Sequence, residues 1–244
     1  MKLTTAGFWG AFPEENSATS CYVVKSEGET FLLDCGSGAM AVLPRIADRN
    51  DIDQMIISHR HFDHTADIGA FVYSRATAMG LKETDRPLTI HAPAGEKAFF
   101  QQFEKENISE LKLYETEDRL LIGGVRVTFQ KTTHPAPCWA ARLEKDGKTV
   151  VYTADTVYDE ALVSFCEKAD LLIAECSFYE NQDASAFGHM NSREAAEMAE
   201  AAGVKELWLS HLPHFGEHEQ LKNEAEKYFS GKIHLAAEGL SWEG

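Results

Sequence analysis

Four residues of metal-ligating type, His59, His61, Asp63 and His64, crowd into the stretch Ser58-His59-Arg60-His61-Phe62-Asp63-His64. The apolar run Met55-Ile56-Ile57 before it reads as a buried strand. Nitrogen and oxygen donors gathered in the loop at a strand end are what a metal site needs, because the strand gives them a rigid support. Imidazole is the commonest protein metal ligand, and aspartate adds a hard oxygen and a charge. In an extended loop alternate side chains face the same way, so His59 and His61 can share one ion. Asp63 and His64, where the next helix begins, can turn toward a second ion nearby. A loop that is merely solvated has no reason to carry donors in this order.

Four donors in one loop seldom complete a two-metal site, so the remaining ligands are sought at other strand ends. Three fit. His134 follows the β run 125–133, Asp155 follows Val150-Val151-Tyr152-Thr153-Ala154, and His211 follows Leu207-Trp208-Leu209-Ser210. A lone polar residue at such a position is commonly a cap. Together the three put every strong candidate on one rim of the sheets. Five neutral imidazoles and two carboxylates carry −2, so two divalent ions would leave a centre of about +2, which suits an anionic substrate.

The elements that must position these residues can be read from periodicity and turn signals. Hairpins are expected over 18–34, turning at Glu27-Gly28, and over 138–153, turning at Asp146-Gly147. Further strands are expected at 52–57, 88–91, 111–114, 120–122, 125–133, 171–174, 206–210 and 232–236. Helices are expected at 39–49, 65–80, 95–106, 158–168, 191–203 and 217–229. Strand-rich halves interleaved with helices suggest two sheets packed face to face with helices outside. No linker, repeat or low-complexity tract interrupts the 244 residues, so a single domain, 1–244, is expected.

Composition excludes several classes. No apolar run approaches the roughly 18 residues of a membrane span, and the start shows no signal-peptide pattern. The five cysteines, Cys21, Cys35, Cys138, Cys166 and Cys176, are scattered without a C-x-x-C. That disfavours a disulfide framework or a cysteine zinc knuckle and fits a cytoplasmic location. The net charge of −16 is spread along the chain, with no basic stripe to track a nucleic-acid backbone. A polymeric nucleic acid is therefore not an expected partner.

On Asp34-Cys35-Gly36 after an early hairpin, the H-x-H-x-D-H motif at 59–64, His134, Asp155 in Thr153-Ala154-Asp155-Thr156, and His211 in Leu209-Ser210-His211, nearly the whole chain resembles the metallo-β-lactamase superfamily. The resemblance implies an α/β (α+β) fold, a four-layer αββα sandwich of two mixed β-sheets flanked by helices. It implies a binuclear centre in which His59, His61 and His134 hold one metal, Asp63, His64 and His211 hold the other, and Asp155 bridges them. An aspartate bridge, with Asp63 and His64 both present, is unlike the cysteine-containing sites of true β-lactamases.

The segment Phe187-Gly188-His189-Met190-Asn191-Ser192 through Ser210-His211-Leu212 is similar to ribonuclease Z and the small cyclic-phosphate diesterases, which carry a histidine upstream of the last ligand. His189 stands there, ahead of a helix with Asn191 as N-cap and Glu194 at N3. It could grip an anionic oxygen or protonate a leaving alkoxide. Two departures matter. Ribonuclease Z has a tRNA-binding arm between its third histidine and its bridging aspartate, whereas only the hairpin 135–154 lies there here. The diesterase of phosphonate degradation has a cysteine-rich structural metal site that this chain does not match. Asp34 is a candidate to buttress a ligand histidine, and Glu175 a lesser one. Phe178, Tyr179, Phe187 and Phe215 are candidates for a substrate wall.

The expectation is a hydrolase with two divalent ions, zinc first and manganese second, cleaving a small anionic phosphodiester or cyclic phosphate. Asp63 would orient the nucleophile and His189 assist the leaving group. A carboxylic ester, thioester or lactone is the rival substrate class, since the same centre can serve attack on carbonyl carbon. A non-catalytic metal-binding protein is the remote alternative. A homodimer is left open.

Overall fold

The computed structural model describes residues 1–244. Contacts divide the chain into two compact units, each built on one seven-stranded sheet. The first comprises Met1–Glu115, Ile122–Gly124 and Ala237–Gly244, the second Thr116–Leu121 and Val125–Ala236.

The first unit contains β1 (Lys2–Gly7), β2 (Cys21–Ser26), β3 (Glu29–Leu33), β4 (Ile52–Ile56), β5 (Leu88–Pro93) and β6 (Ser109–Tyr114). The C-terminal strand Ser241–Glu243 adds to the free side of β1, an edge pairing the sequence pattern does not reveal. Glu27 and Gly28 both take positive φ, 49° and 80°, so a two-residue turn joins β2 to β3 in the hand that matches strand twist. From β3 to β6 the strands are parallel. Val23, Leu32, Met55 and Ile57 build the core with Ile68, Phe71 and Val72, the expected apolar face of the following helix.

Three expected helices of this unit are shorter or broken. Residues 39–49 form α1 (Ala39–Val42) and a 3-10 turn Leu43–Arg45, where Pro44 lacks the N–H a helix would need, and Arg49 opens a separate 3-10 turn to Asp51. Residues 65–80 begin earlier and divide into α2 (Phe62–Thr65) and α3 (Ile68–Gly80), and the carboxylate of Asp67 between them accepts from the Met40 N–H. Residues 95–106 contain only α4 (Lys97–Phe100) between 3-10 turns.

The second unit's sheet uses β7 (Arg119–Ile122), β8 (Val125–Lys131), β9 (Trp139–Lys145), β10 (Lys148–Tyr152), β11 (Leu171–Glu175), β12 (Glu206–Ser210) and β13 (Lys232–Leu235), in reverse chain order. Asp146 and Gly147 turn β9 into β10 with φ of 50° and 73°. Then β10 to β13 run parallel, and β8, two antiparallel steps from β10, shares their direction. The C-terminal ends of β8, β10, β11 and β12 therefore open on the same edge of this sheet. Helices α5 (Glu160–Phe165), α6 (Ser192–Ala201) and α7 (His218–Ala225) supply the connections. No helix is long and apolar enough to cross a membrane.

Candidate metal centre

In the first unit the donors stand at the C-terminal ends of two parallel strands. Asp34 follows β3 and is fully buried, with φ of 59°. Its Oδ1 accepts from the Ser58 backbone N–H at 2.7 Å and its Oδ2 from the Ser58 hydroxyl at 2.8 Å. The same Oδ2 lies 2.7 Å from His64 Nδ1. Because the Ser58 hydroxyl proton is directed to Asp34, its oxygen accepts from His59 Nδ1 at 3.0 Å. One buried carboxylate thus orients two imidazoles, the second through a serine. The rings of His59 and His64 lie 4.2 Å apart, and those of His59 and His61 4.6 Å apart. Asp63 Oδ2 is 3.7 Å from His64 Nε2 and accepts from the Ala11 backbone N–H at 2.9 Å.

The second unit repeats the device. Asp155 follows β10, and its two oxygens face different imidazoles: Oδ2 lies 3.9 Å from His134 Nε2, Oδ1 3.5 Å from His211 Nε2. That is the disposition a bridging carboxylate requires. Gly188 O accepts from His134 Nδ1 at 2.9 Å. Burial pushes the His134 pKa down, against the nearby Asp155 charge, which favours the neutral ring a metal ligand must be. Glu175, at the end of β11, is 2% exposed. Its Oε2 accepts from the Ser177 hydroxyl at 2.9 Å, and the Ser177 oxygen accepts from His211 Nδ1 at 2.8 Å.

His189 lies in the same cluster. Its Nδ1 is 3.0 Å from Glu175 Oε1, which also accepts the Met190 N–H at 2.9 Å. Its ring is 5.4 Å from that of His134 and 5.2 Å from that of His211. Asn191 and Glu194 form the expected reciprocal cap on α6. Glu175, expected at most to support a ligand histidine, therefore holds His189 directly and His211 through Ser177. Ser58, Ser177, the Gly188 carbonyl and the Ala11 N–H were not singled out in the sequence. For the serines the one signal is adjacency, Ser58 before His59 and Ser177 two residues after Glu175.

The donor set fits divalent metal ions. Four imidazoles, His59, His64, His134 and His211, have Nδ1 held by a carboxylate, serine or backbone carbonyl, the support that fixes a ligand histidine to bind through Nε2. Two donors about 2.0–2.1 Å from one tetrahedral ion would sit about 3.4 Å apart, close to the Nε2–carboxylate spacings found in both units. Asp34, Ala154 and His211 all take positive φ, 59°, 51° and 53°, which non-glycine residues rarely adopt. Such strain gathers at functional sites, where surrounding structure must hold it.

The chain is similar to known proteins over its whole length. A family model described as "Beta-lactamase superfamily domain" matches residues 29–212. "Probable metallo-hydrolase YhfI" of Bacillus subtilis (strain 168) is 39% identical, covering 100% of both chains. The crystal structure of that metallo-β-lactamase fold protein superposes with a TM-score of 0.97, covering 100% of this chain and 99% of the other. "Ribonuclease Z" of Haloarcula marismortui is 26% identical, covering 98% of this chain and 96% of its own. A diphosphatase of the PhnP family shares the fold, with a TM-score of 0.77 at 17% identity, covering 100% of this chain and 97% of the other. The fold is the metallo-β-lactamase fold expected from the motifs, and the chain belongs to the metallo-β-lactamase superfamily as a metallo-hydrolase with ribonuclease Z-like relatives.

Proposed function

We propose that the chain is a binuclear metal-dependent phosphodiesterase for a small phosphodiester or cyclic phosphate. His59, His61 and His134 would hold one ion, Asp63, His64 and His211 the other, with Asp155 shared. When bound, such ions supply Lewis acidity to phosphoryl oxygens and lower the pKa of water. Zinc suits the imidazole-rich set, and manganese is the second candidate for its carboxylates.

The observation that carries the phosphodiester reading is His189 on Glu175. A buried carboxylate at Nδ1 stabilises the protonated imidazole, the form that can give a proton to a leaving oxygen. An alkoxide leaving from phosphorus needs such a proton. Asp63, its Oδ2 fixed by the Ala11 N–H, orients the attacking water and takes its proton. Attack on phosphorus forms one P–O bond, the bond to the leaving oxygen breaks, and that oxygen takes the proton from His189.

The test is a panel of bis-p-nitrophenyl phosphate, an alkyl diester, an aryl acetate and a lactone on zinc- and manganese-loaded protein. His189→Ala should lower kcat on the diesters by roughly 10²–10⁴-fold with metal content intact. The loss should be larger for the alkyl leaving group than for p-nitrophenolate, which departs without help. Unchanged turnover of the alkyl diester, or faster cleavage of the ester and lactone than of any diester, would overturn the reading.

A small anionic substrate is supported by the short connection 135–154, and a cytoplasmic location by five buried thiols outside any disulfide. The oligomeric state, for which a homodimer is the candidate, is decided by light scattering of the metal-loaded protein.

A further inference from the structure

Two of the chain's exposed large apolar side chains, Phe187 (62% exposed) and Phe215 (47%), meet on a third ring, Phe178. Phe187 lies nearly parallel to Phe178, with centroids 5.8 Å apart and planes 14° apart. Phe215 stands edge-on to Phe178 at 6.2 Å and 62°. Phe178 is in turn 6.4 Å from the His189 ring. The backbone under these rings is pinned. The Phe215 carbonyl accepts from the Tyr179 hydroxyl at 3.0 Å, the Phe178 carbonyl from the Ser192 N–H at 2.9 Å, and Phe187 closes the 3-10 turn Ser185–Phe187.

We propose that Phe178, Phe187 and Phe215 form a subsite for one planar aromatic ring, carried on the ester group whose oxygen His189 protonates. This rests on the phosphodiesterase reading and names the substrate class more closely: a small phosphodiester bearing a nucleobase or an aryl group. Phe187 lies nearly parallel to Phe178 and is largely exposed, so a flat ring can extend the stack. Offset stacking of this kind is the preferred arrangement of aromatic pairs. The short distance from Phe178 to His189 places the subsite one group away from the leaving oxygen. Charge argues for a single ring and against a polymer. Residues 176–191 and 212–219, which carry the wall, contain acidic residues but no lysine or arginine to meet further phosphates.

The test is calorimetric binding of adenosine 5′-monophosphate, phenyl phosphate and ribose 5-phosphate to zinc-loaded wild type, Phe187→Ala and Phe187→Trp. Base stacking on an aromatic side chain strengthens binding by roughly tenfold to a hundredfold, so the ring-bearing ligands should exceed ribose 5-phosphate by that factor in the wild type. F187A should abolish the advantage while leaving ribose 5-phosphate unchanged, and F187W should keep it. An advantage for both ring-bearing ligands assigns the subsite to any planar ring, and one for adenosine 5′-monophosphate alone assigns it to a nucleobase. Equal affinities in the wild type, no binding of any of the three, or an F187A loss shared by ribose 5-phosphate would overturn the subsite. Binding is read without turnover, so failure here is distinct from failure of the phosphodiesterase reading, which is decided by the diester panel.

Discussion

Each unit places a buried carboxylate behind its histidines and uses a serine to reach a second ring. Asp34 holds His64 directly and His59 through Ser58; Glu175 holds His189 directly and His211 through Ser177. A carboxylate at Nδ1 fixes the tautomer and makes Nε2 a better donor. Asp34→Asn keeps the shape and removes the charge. It should weaken zinc affinity about 10–100-fold, measured by competition with a chromophoric chelator; unchanged affinity would reduce Asp34 to a turn residue. Glu175→Gln should instead lower kcat on an alkyl diester more than on a p-nitrophenyl diester, because it disturbs the proton donor. The aspartates and histidines were legible because their types are rare together and stand just past apolar runs. The two serines were not, since serine is common in loops and its role depends on a partner distant in the chain.

The segment 185–191 concentrates several tasks in one element. Phe187 offers a ring, Gly188 gives its carbonyl to His134, His189 meets Glu175, and Asn191 caps α6. Gly188 is required there on two grounds. Its φ is 79°, and a Cβ would stand 2.3 Å from Pro135 Cδ and 2.8 Å from His134 Nδ1. Gly188→Ala should therefore displace His134 and lower the bound metal in elemental analysis, with a fall in Tm that added zinc restores only in part. Full metal content and unchanged Tm would show that the segment can shift at no cost. At this scale the hairpins were legible, because Glu27-Gly28 and Asp146-Gly147 are turn dipeptides between β runs. The helices at 39–49 and 95–106 were overextended. Apolar spacing suggested them, but Pro44 ends the first and the second folds as successive short turns. The C-terminal edge strand was invisible because three residues carry no period, and pairing with β1 alone defines it.

Acidity and burial set the behaviour of the molecule as a whole. His91 is buried against Gln54, and burial, with Lys112 adding to it and Glu110 opposing, pushes its pKa from the ordinary 6.5 to about 4. The unfolded chain then binds a proton that the folded chain refuses. Stability from this residue is complete above pH 6.5 and is lost as the pH falls toward 4, by about 3 kcal/mol in all. Denaturant melts of metal-free protein should show that decline, and His91→Gln should flatten it; an equal slope in the variant would assign the loss elsewhere. The net charge of −16 carries the other expectation. Specific binding of a precursor tRNA draws its affinity from cations that release counterions, and weakens steeply with salt. This chain has 39 acidic against 23 basic residues and no arm between His134 and Asp155. The alignment with the Haloarcula marismortui ribonuclease Z runs over 301 positions, more than the 244 residues here, so that relative carries segments with no counterpart. Cleavage of a precursor tRNA 3′ end should be negligible beside that of a small diester, at low salt and high salt alike. Efficient cleavage that falls with added salt would reveal a basic track that the charge distribution does not show, and would move the substrate from a small diester to a polymer.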